Sequence, residues 1–179
     1  MTRALRARFI LLISKAGKFR RSGLGKGKKI AVVGVGNILL GDEGLGVRAV
    51  ERLKEKPLPA SIQVFDAGTS IHQLLPAFEG FDKMVIIDAV KAGQEPGAIY
   101  RFTLEELESD KGKDIGFMLS LHELDVPRAI ALERLVSKLP EEIVFIGMEP
   151  EKISEGMELS GTVSKKMDQL LSAIEKEFG

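Results

Sequence analysis

The sequence contains no cysteine, and this absence excludes several kinds of chemistry. Disulfide bonds, zinc sites built on thiolates and cysteine nucleophiles all need a cysteine sulfur. Histidine is also scarce, because His72 and His122 are the two that occur. A metal site made of histidines alone is therefore excluded for a single chain, and any metal would be held by histidine together with aspartate or glutamate.

The apolar residues form no run that could span a membrane. The run over residues 9–13 has five residues, whereas a transmembrane helix needs about 20. A secretory signal would need a longer apolar core and a cleavage site of small residues. We therefore expect no membrane span. The missing cysteine and the many lysines and glutamates are typical of a cytoplasmic protein.

Acidic residues are absent from residues 1–29, which contain ten lysines and arginines. The whole chain has 26 basic and 26 acidic residues, so residues 30–179 keep 16 basic against 26 acidic side chains, a net charge of −10. An acidic body is unfavourable for nucleic-acid binding. We expect residues 1–29 to be a flexible basic extension, either with little function or acting as a partner-binding or membrane-surface arm. Residues 30–179 would form the folded domain.

Residues 30–179 alternate between strand-like and helix-like segments, which is typical of an α/β protein. We predict a single three-layer α/β/α domain with a mostly parallel, twisted, five-stranded sheet. The fourth strand should run antiparallel, because no crossover helix separates it from the third. Predicted strands cover residues 30–35, 62–66, 84–87, 98–102 and 143–146. Predicted helices cover residues 45–56, a short segment with Ile71 and Phe78, a capping box starting at Thr103, a face with Val126, Ile130 and Leu135, and a C-terminal helix from Ser160 or Thr162 to about Phe178.

The loop after the first strand is rich in glycine but matches neither common phosphate-binding motif. The dinucleotide fingerprint needs a third glycine where this chain has Leu39, and a P-loop needs Gly-Lys-Ser/Thr where Gly41 is followed by Asp42 and Glu43. Two carboxylates would repel a phosphate. The loop is therefore suited to attracting a cation or to acid–base chemistry.

Three polar residues occupy similar places relative to predicted strands and helices. Glu43 follows the first strand, Asp66 ends the second, and His122 precedes the helix leading to the last strand. Loops at the carboxyl edge of a parallel sheet converge, so the three could form a metal site with open coordination positions. Alternatively, Glu43 could complement the N-terminus of the following helix, Asp66 could be a turn residue, and His122 could cap a helix or pack.

Residues 34–46, with the sequence GVGNILLGDEGLG, resemble the N-terminal signature of the hydrogenase maturation endopeptidases. Four further motifs follow in the order typical of that family, and together they cover about residues 30–178. They are FDAGT at 65–69, VIIDAV at 85–90, LSLHE at 119–123 and IGMEP at 146–150. Residues 1–29 depart from the family pattern, which usually begins at the first strand.

The resemblance implies an endopeptidase that removes the C-terminal tail of a [NiFe] hydrogenase large-subunit precursor after nickel insertion. The family's metal-binding positions fall on Glu43, Asp66 and His122. Nickel would be supplied by the substrate and bound weakly, if at all, by the isolated protein. The partner would be the large-subunit precursor, with maturation chaperones as further candidates. Either nickel polarises the scissile carbonyl or activates water, or Asp66 or Glu43 acts as general base.

Other residues in these motifs have simpler predicted roles. Asp42 is expected to be a loop or capping residue, and Asp88 to support the structure near the site rather than to bind metal. His72 should lie at the surface. Gly36 and Asn37 should shape the backbone of the loop, because glycine and asparagine tolerate positive φ.

Serine chemistry is disfavoured, because Ser70 and Ser120 lie in no nucleophile-elbow context.

Two functions of other kinds stay open at this point. A non-catalytic nucleotide- or small-ligand-binding module would explain the glycine-rich loop. It would leave the convergence of Glu43, Asp66 and His122 accidental. A general metal hydrolase would bind a stoichiometric metal ion tightly.

Overall fold

The computed structural model of the protein describes residues 27–108 and 126–179. The strands are β1 (Ile30–Val35), β2 (Ile62–Gly68), β3 (Lys83–Ala89), β4 (Ile99–Thr103) and β5 (Glu142–Met148). The α-helices are α1 (Leu45–Lys54), α2 (Leu104–Glu108), α3 (Val126–Glu133) and α4 (Gly161–Glu175). Short 3-10 turns cover Asp42–Gly44, Ile71–Gln73, Leu75–Phe78 and Lys176–Phe178.

The five strands form one sheet in the order β2-β1-β3-β5-β4. β1, β2, β3 and β5 are parallel, and β4 pairs antiparallel with β5. This confirms the predicted fold class and the reversed direction of the fourth strand. The partner of β4 is β5 rather than β3, because β5 lies between them. The carboxyl ends of the four parallel strands therefore lie along one edge, which we call the carboxyl edge.

Each face of the sheet carries its own hydrophobic core, which makes the three layers. One core packs apolar residues of α1 and α4, such as Leu53 and Met167, against the sheet. The other packs the two 3-10 turns between β2 and β3, together with α2 and α3, against the opposite face through residues such as Phe78 and Ile130. All seven residues of β3 are buried, as expected for a central strand covered on both faces.

Two glycines let α1 lie directly against the sheet. A Cβ on Gly46 would lie 2.2 Å from the carbonyl oxygen of Ile87, and one on Gly34 would lie 2.3 Å from that of Gly46. Since any side chain would collide with backbone, both positions need glycine. This close packing fixes the start of α1, and with it the preceding loop, relative to β1 and β3.

Two of the predicted helices differ from the observed structure. Residues 71–78 form two 3-10 turns rather than one helix, because Pro76 has no N–H to donate within an α-helix. α3 ends at Glu133, and Leu135 beyond it is 80% exposed. Leu135 was wrongly assigned to the buried face, since five residues after Ile130 an α-helix has turned by about 500° and points elsewhere.

Other predicted features are confirmed. The capping box is present, with the Thr103 N–H donating to Glu106 at 2.7 Å and the Glu106 N–H donating to Thr103 Oγ1 at 3.2 Å. Ser160 caps α4, accepting from the Val163 N–H at 3.3 Å. The basic segment up to residue 26 and the polar loop predicted over residues 109–120 lie outside the described residues. Within 27–108 and 126–179, no helix has both the length and the apolar character needed to cross a membrane.

Candidate active site

Acidic residues follow all four parallel strands at the carboxyl edge. Asp42 and Glu43 follow β1, Asp66 lies near the end of β2, Asp88 near the end of β3, and Glu149 directly after β5. In open α/β sheets, ligands bind outside this edge. The edge is therefore the candidate site.

The loop after β1 folds back tightly on itself. Gly36 has φ 142°, and a Cβ there would lie 2.0 Å from the carbonyl oxygen of Glu43. Asn37 Oδ1 accepts from the Leu39 N–H at 3.0 Å, an Asx turn. Positive φ occurs at glycines alone among the described residues, so Asn37 shapes the loop through its side chain rather than by the predicted positive φ.

Glu43 lies in the 3-10 turn that leads into α1. It is 5% exposed, and its turn packs against β3 and the start of α1. The N-terminus of a helix favours a negative charge, so this location is electrostatically suitable for a carboxylate. The structure thus gives Glu43 a fixed position at the carboxyl edge next to β3.

Asp66 and Asp88 lie on opposite sides of β1. Asp66 is exposed, and its Oδ1 accepts from the Gly68 N–H at 2.9 Å, so it has the turn role considered from the sequence. Asp88 is 3% exposed, and its Oδ1 accepts from the Ala89 N–H at 2.8 Å. Because the turn of Glu43 packs against β3, the structure brings Glu43 to the strand that carries Asp88 near its end.

The third predicted ligand, His122, lies outside the described residues. Among the residues that the structure describes, no group of three histidine, aspartate or glutamate side chains could hold a metal ion. The trio of Glu43, Asp66 and His122 therefore stays a prediction. His72 lies on a 3-10 turn and is exposed, as predicted.

Asp42 is a loop anchor, which agrees with its predicted role. It is 1% exposed, and its carboxylate accepts three backbone N–H groups, those of Glu151 (2.9 Å), Lys152 (3.2 Å) and Ser160 (2.6 Å). These donors lie in the loop between β5 and α4. The sequence predicted a loop or capping residue but not that its partners lie more than 100 residues away.

Glu149 was not singled out from the sequence, although it anchors another loop of the same edge. It is 6% exposed and accepts the Tyr100 hydroxyl at 2.5 Å and the Ala92 N–H at 2.8 Å. The Gly93 and Gln94 N–H groups donate to it at 3.3 Å each. The sequence does contain a signal for this residue, because Glu149 directly follows a buried strand and precedes Pro150.

These contacts change the pKa values of both Glu149 and Tyr100. Burial alone would raise the pKa of Glu149, but the Tyr100 hydroxyl and the three N–H donors outweigh it, so that the pKa is lowered. The pKa of Tyr100 is raised strongly by burial and by the hydrogen bond to the Glu149 carboxylate. Glu149 therefore acts as an internal anion that holds the loop between β3 and β4.

The family model of the hydrogenase maturation proteases matches residues 47–177. The hydrogenase expression/formation protein HupD of Rhodobacter capsulatus is 31% identical over 155 residues, which cover 86% of this chain and 72% of HupD. The hydrogenase 2 maturation protease of Escherichia coli is 30% identical over 148 residues, covering 82% of this chain and 88% of that protein. HupD of Bradyrhizobium diazoefficiens is 33% identical over 123 residues, which cover 68% of this chain and 62% of that protein.

The fold agrees with solved structures of the same kind. The hydrogenase maturating endopeptidase HybD from Escherichia coli superposes with a TM-score of 0.68 at 25% identity, covering 83% of this chain and 91% of HybD. The [NiFe] hydrogenase maturation protease HycI from Thermococcus kodakarensis also gives a TM-score of 0.68 at 25% identity, with 86% and 94% covered. These matches confirm the resemblance drawn from the sequence motifs. The chain belongs to the hydrogenase maturation protease family.

Proposed function

We propose that this protein removes the C-terminal tail of a [NiFe] hydrogenase large-subunit precursor after nickel insertion, and that it recognises the nickel held by that substrate. Family membership supports a peptidase of hydrogenase maturation. The observation that carries the rest is the buried carboxylate of Glu43, held at the carboxyl edge of the sheet. We also place the reaction in the cytoplasm, with maturation chaperones as further candidate partners.

The ligands of the substrate's nickel would be Glu43, Asp66 and His122. Carboxylate and imidazole groups bind divalent transition metals, and a set of two carboxylates and one imidazole leaves coordination positions open. An incomplete set favours a metal that arrives with the substrate over one that resides in the protein. Binding energy from a correctly loaded substrate would then assemble the productive complex.

Asp88, which the sequence predicts to support the structure near the site, is a further carboxylate at the same edge of the sheet. It is buried on β3, the strand against which the turn of Glu43 packs. Asp66 lies across β1 and is exposed, so water can reach its carboxylate. We therefore favour Asp66 as the general base if a carboxylate activates the water, and Glu43 as the ligand held in place by burial.

A non-catalytic nucleotide- or small-ligand-binding module is the alternative function, and family membership does not favour it. The alternative to a carboxylate as general base is that the substrate's nickel polarises the scissile carbonyl. Glu43, Asp66 and His122 would then serve to orient that metal. Both mechanisms place Glu43 at the reacting centre.

The test is an incubation of the purified protein with an unprocessed large subunit, followed by measurement of the subunit's intact mass. With a nickel-loaded large subunit, we expect loss of a C-terminal fragment with the wild-type protein and no loss with Glu43→Gln. The matched control is Glu51→Gln, because Glu51 is an exposed residue of α1 paired with Arg48. Equal processing by wild type and Glu43→Gln would contradict the assigned site, and binding without cleavage by wild type would favour the non-catalytic alternative.

A further inference from the structure

We infer that Asp42 is a positioning residue, which fixes the turn that carries Glu43 by binding the loop between β5 and α4. The inference rests on the proposed function for its catalytic consequence. Asp42 itself is not a catalytic residue in this account, because its carboxylate is directed at backbone N–H groups of that loop.

Both carboxylate oxygens of Asp42 are used in this contact. Oδ2 accepts from Glu151 N at 2.9 Å and Lys152 N at 3.2 Å, and Oδ1 accepts from Ser160 N at 2.6 Å. Hydrogen bonds to an ionised, buried acceptor are stronger than neutral ones. A carboxylate used in this way has little capacity left to bind a metal ion or take a proton from water.

Two backbone hydrogen bonds join the same loop to the residues before Asp42. Gly41 N donates to the carbonyl oxygen of Gly156 at 2.7 Å, and Gly156 N donates to that of Leu39 at 2.9 Å. The segment 39–42 and the segment 151–160 are therefore joined at several points. This joined unit forms one side of the carboxyl edge.

Glu43 is held between this unit and the sheet. On the sheet side its turn packs against β3, and its carbonyl oxygen approaches Gly36 so closely that a Cβ there would lie 2.0 Å from the oxygen. On the other side the neighbouring Asp42 is bound to the loop before α4. A shift of the loop therefore moves the turn, and a displacement of about 1 Å at a catalytic group can reduce the rate by about 100-fold.

The backbone at Ser160 offers a way to remove one of these hydrogen bonds without changing Asp42. Ser160 has φ −55°, which lies in the range of proline, so Ser160→Pro fits the backbone at this position. It removes the N–H, and its ring Cδ takes the place of that hydrogen and so displaces the Asp42 carboxylate, which lies 2.6 Å from the nitrogen. It also removes the hydroxyl that caps α4. Ser160→Ala removes that hydroxyl and keeps the N–H, so the difference between the two variants reports the loss of the contact between residue 160 and Asp42.

The experiment compares Asp42→Asn, Ser160→Pro and Ser160→Ala in the precursor-processing assay. A matched control is Asp82→Asn, because Asp82 accepts a backbone N–H, that of Lys29 at 2.7 Å, at the opposite edge of the sheet. We expect kcat to fall about 10- to 100-fold in Asp42→Asn, and in Ser160→Pro relative to Ser160→Ala, with KM little changed. Asp82→Asn should process like the wild type.

Amide hydrogen exchange at Glu43 and Gly44 gives a second readout that needs no substrate. We expect exchange about tenfold faster in Asp42→Asn and Ser160→Pro than in Asp82→Asn. Unchanged exchange, or a rise in KM with kcat intact, would overturn the inference. If the wild-type protein processes no precursor, the proposed function fails, and the exchange rates still decide whether Asp42 fixes the turn.

Discussion

Lys83 Nζ lies 2.7 Å from a carboxylate oxygen of Glu177, at the edge of the sheet opposite to the candidate site. Both side chains are nearly buried, with 7% and 8% of their surface exposed. Lys83 also contacts Glu142 at 2.8 Å, and Arg101 Nε contacts Glu177 at 2.7 Å. This network joins the C-terminal turn to the first residues of β3 and β5 and to β4.

Replacement of Glu177 by glutamine should destabilise the protein by about 2 kcal/mol, because it removes one of the two carboxylates that pair with the buried Lys83 and the carboxylate that pairs with Arg101. Denaturant unfolding measures the free energy. The matched control is Glu175→Gln, which breaks the 2.6 Å pair with Lys56, both of whose side chains are about 40% exposed. That surface pair should contribute less than about 1 kcal/mol. Equal losses in the two variants would contradict a special role for the buried network.

The same network predicts how stability depends on pH. The Arg101 hydrogen bond, with the help of Lys83 and against the effect of burial, lowers the pKa of Glu177. A lowered pKa in the folded state stabilises the protein above the ordinary glutamate pKa, and that stability is lost as the pH falls through the lowered pKa. The difference in unfolding free energy between wild type and Glu177→Gln should therefore shrink on acidification. A difference that stays constant over that range would contradict the assignment.

Gly46→Ala should destabilise the fold by at least about 2 kcal/mol, because the new Cβ would meet backbone of both β1 and β3. The nearest atoms are the carbonyl oxygens of Ile87 at 2.2 Å and Val35 at 2.3 Å. Thermal or denaturant unfolding measures the effect. Gly161→Ala is the control, since it also lies at the start of a helix and a Cβ there meets nothing within 4 Å. It should be neutral or stabilise by up to about 1 kcal/mol.

Tyr100 should resist ionisation far above the ordinary tyrosine pKa. It is the single tyrosine of a chain without tryptophan, so the ultraviolet absorbance of tyrosinate reports on it alone. Burial and the Glu149 carboxylate both raise the pKa of Tyr100, and Glu149→Gln should bring the transition to lower pH. A transition at the same pH in wild type and Glu149→Gln would show that the carboxylate does not act on the phenol.

Replacement of Glu43, Asp66 or His122 by alanine should abolish processing of the precursor without unfolding the protein. Circular dichroism and an intact-mass assay test the two parts of this prediction. Asp88→Ala tests the buried carboxylate of β3, and Glu51→Ala is the exposed control. Full processing by all three predicted-site variants would contradict the proposed metal site.

The strands and their direction could be predicted from the sequence, because buried strands form apolar runs. The pairing of β4 with β5 could not, since it depends on contacts between distant segments. The roles of Asp42 and Glu149 show the same limit: their backbone donors lie about 110 and 56 residues away along the chain. Local pattern predicts that a carboxylate lies in a loop, but tertiary structure decides which N–H groups it binds.

Local geometry explains the smaller differences. Pro76 divides a segment whose apolar spacing alone indicates one helix. Asn37 acts through an Asx turn, although its tolerance of positive φ was the reason for expecting it in the loop. The burial of Asp88 and the exposure of Asp66 also could not be read from the sequence, since both follow apolar strand residues.

The most direct measurement of the central claim is a competition in one tube. Nickel-loaded precursor and isotopically labelled nickel-free precursor would be mixed in equal amounts with the protein, and their intact masses followed with time. We predict that only the nickel-loaded form loses its C-terminal fragment, and that Glu43→Gln cleaves neither. Cleavage of both forms at the same rate would contradict nickel recognition.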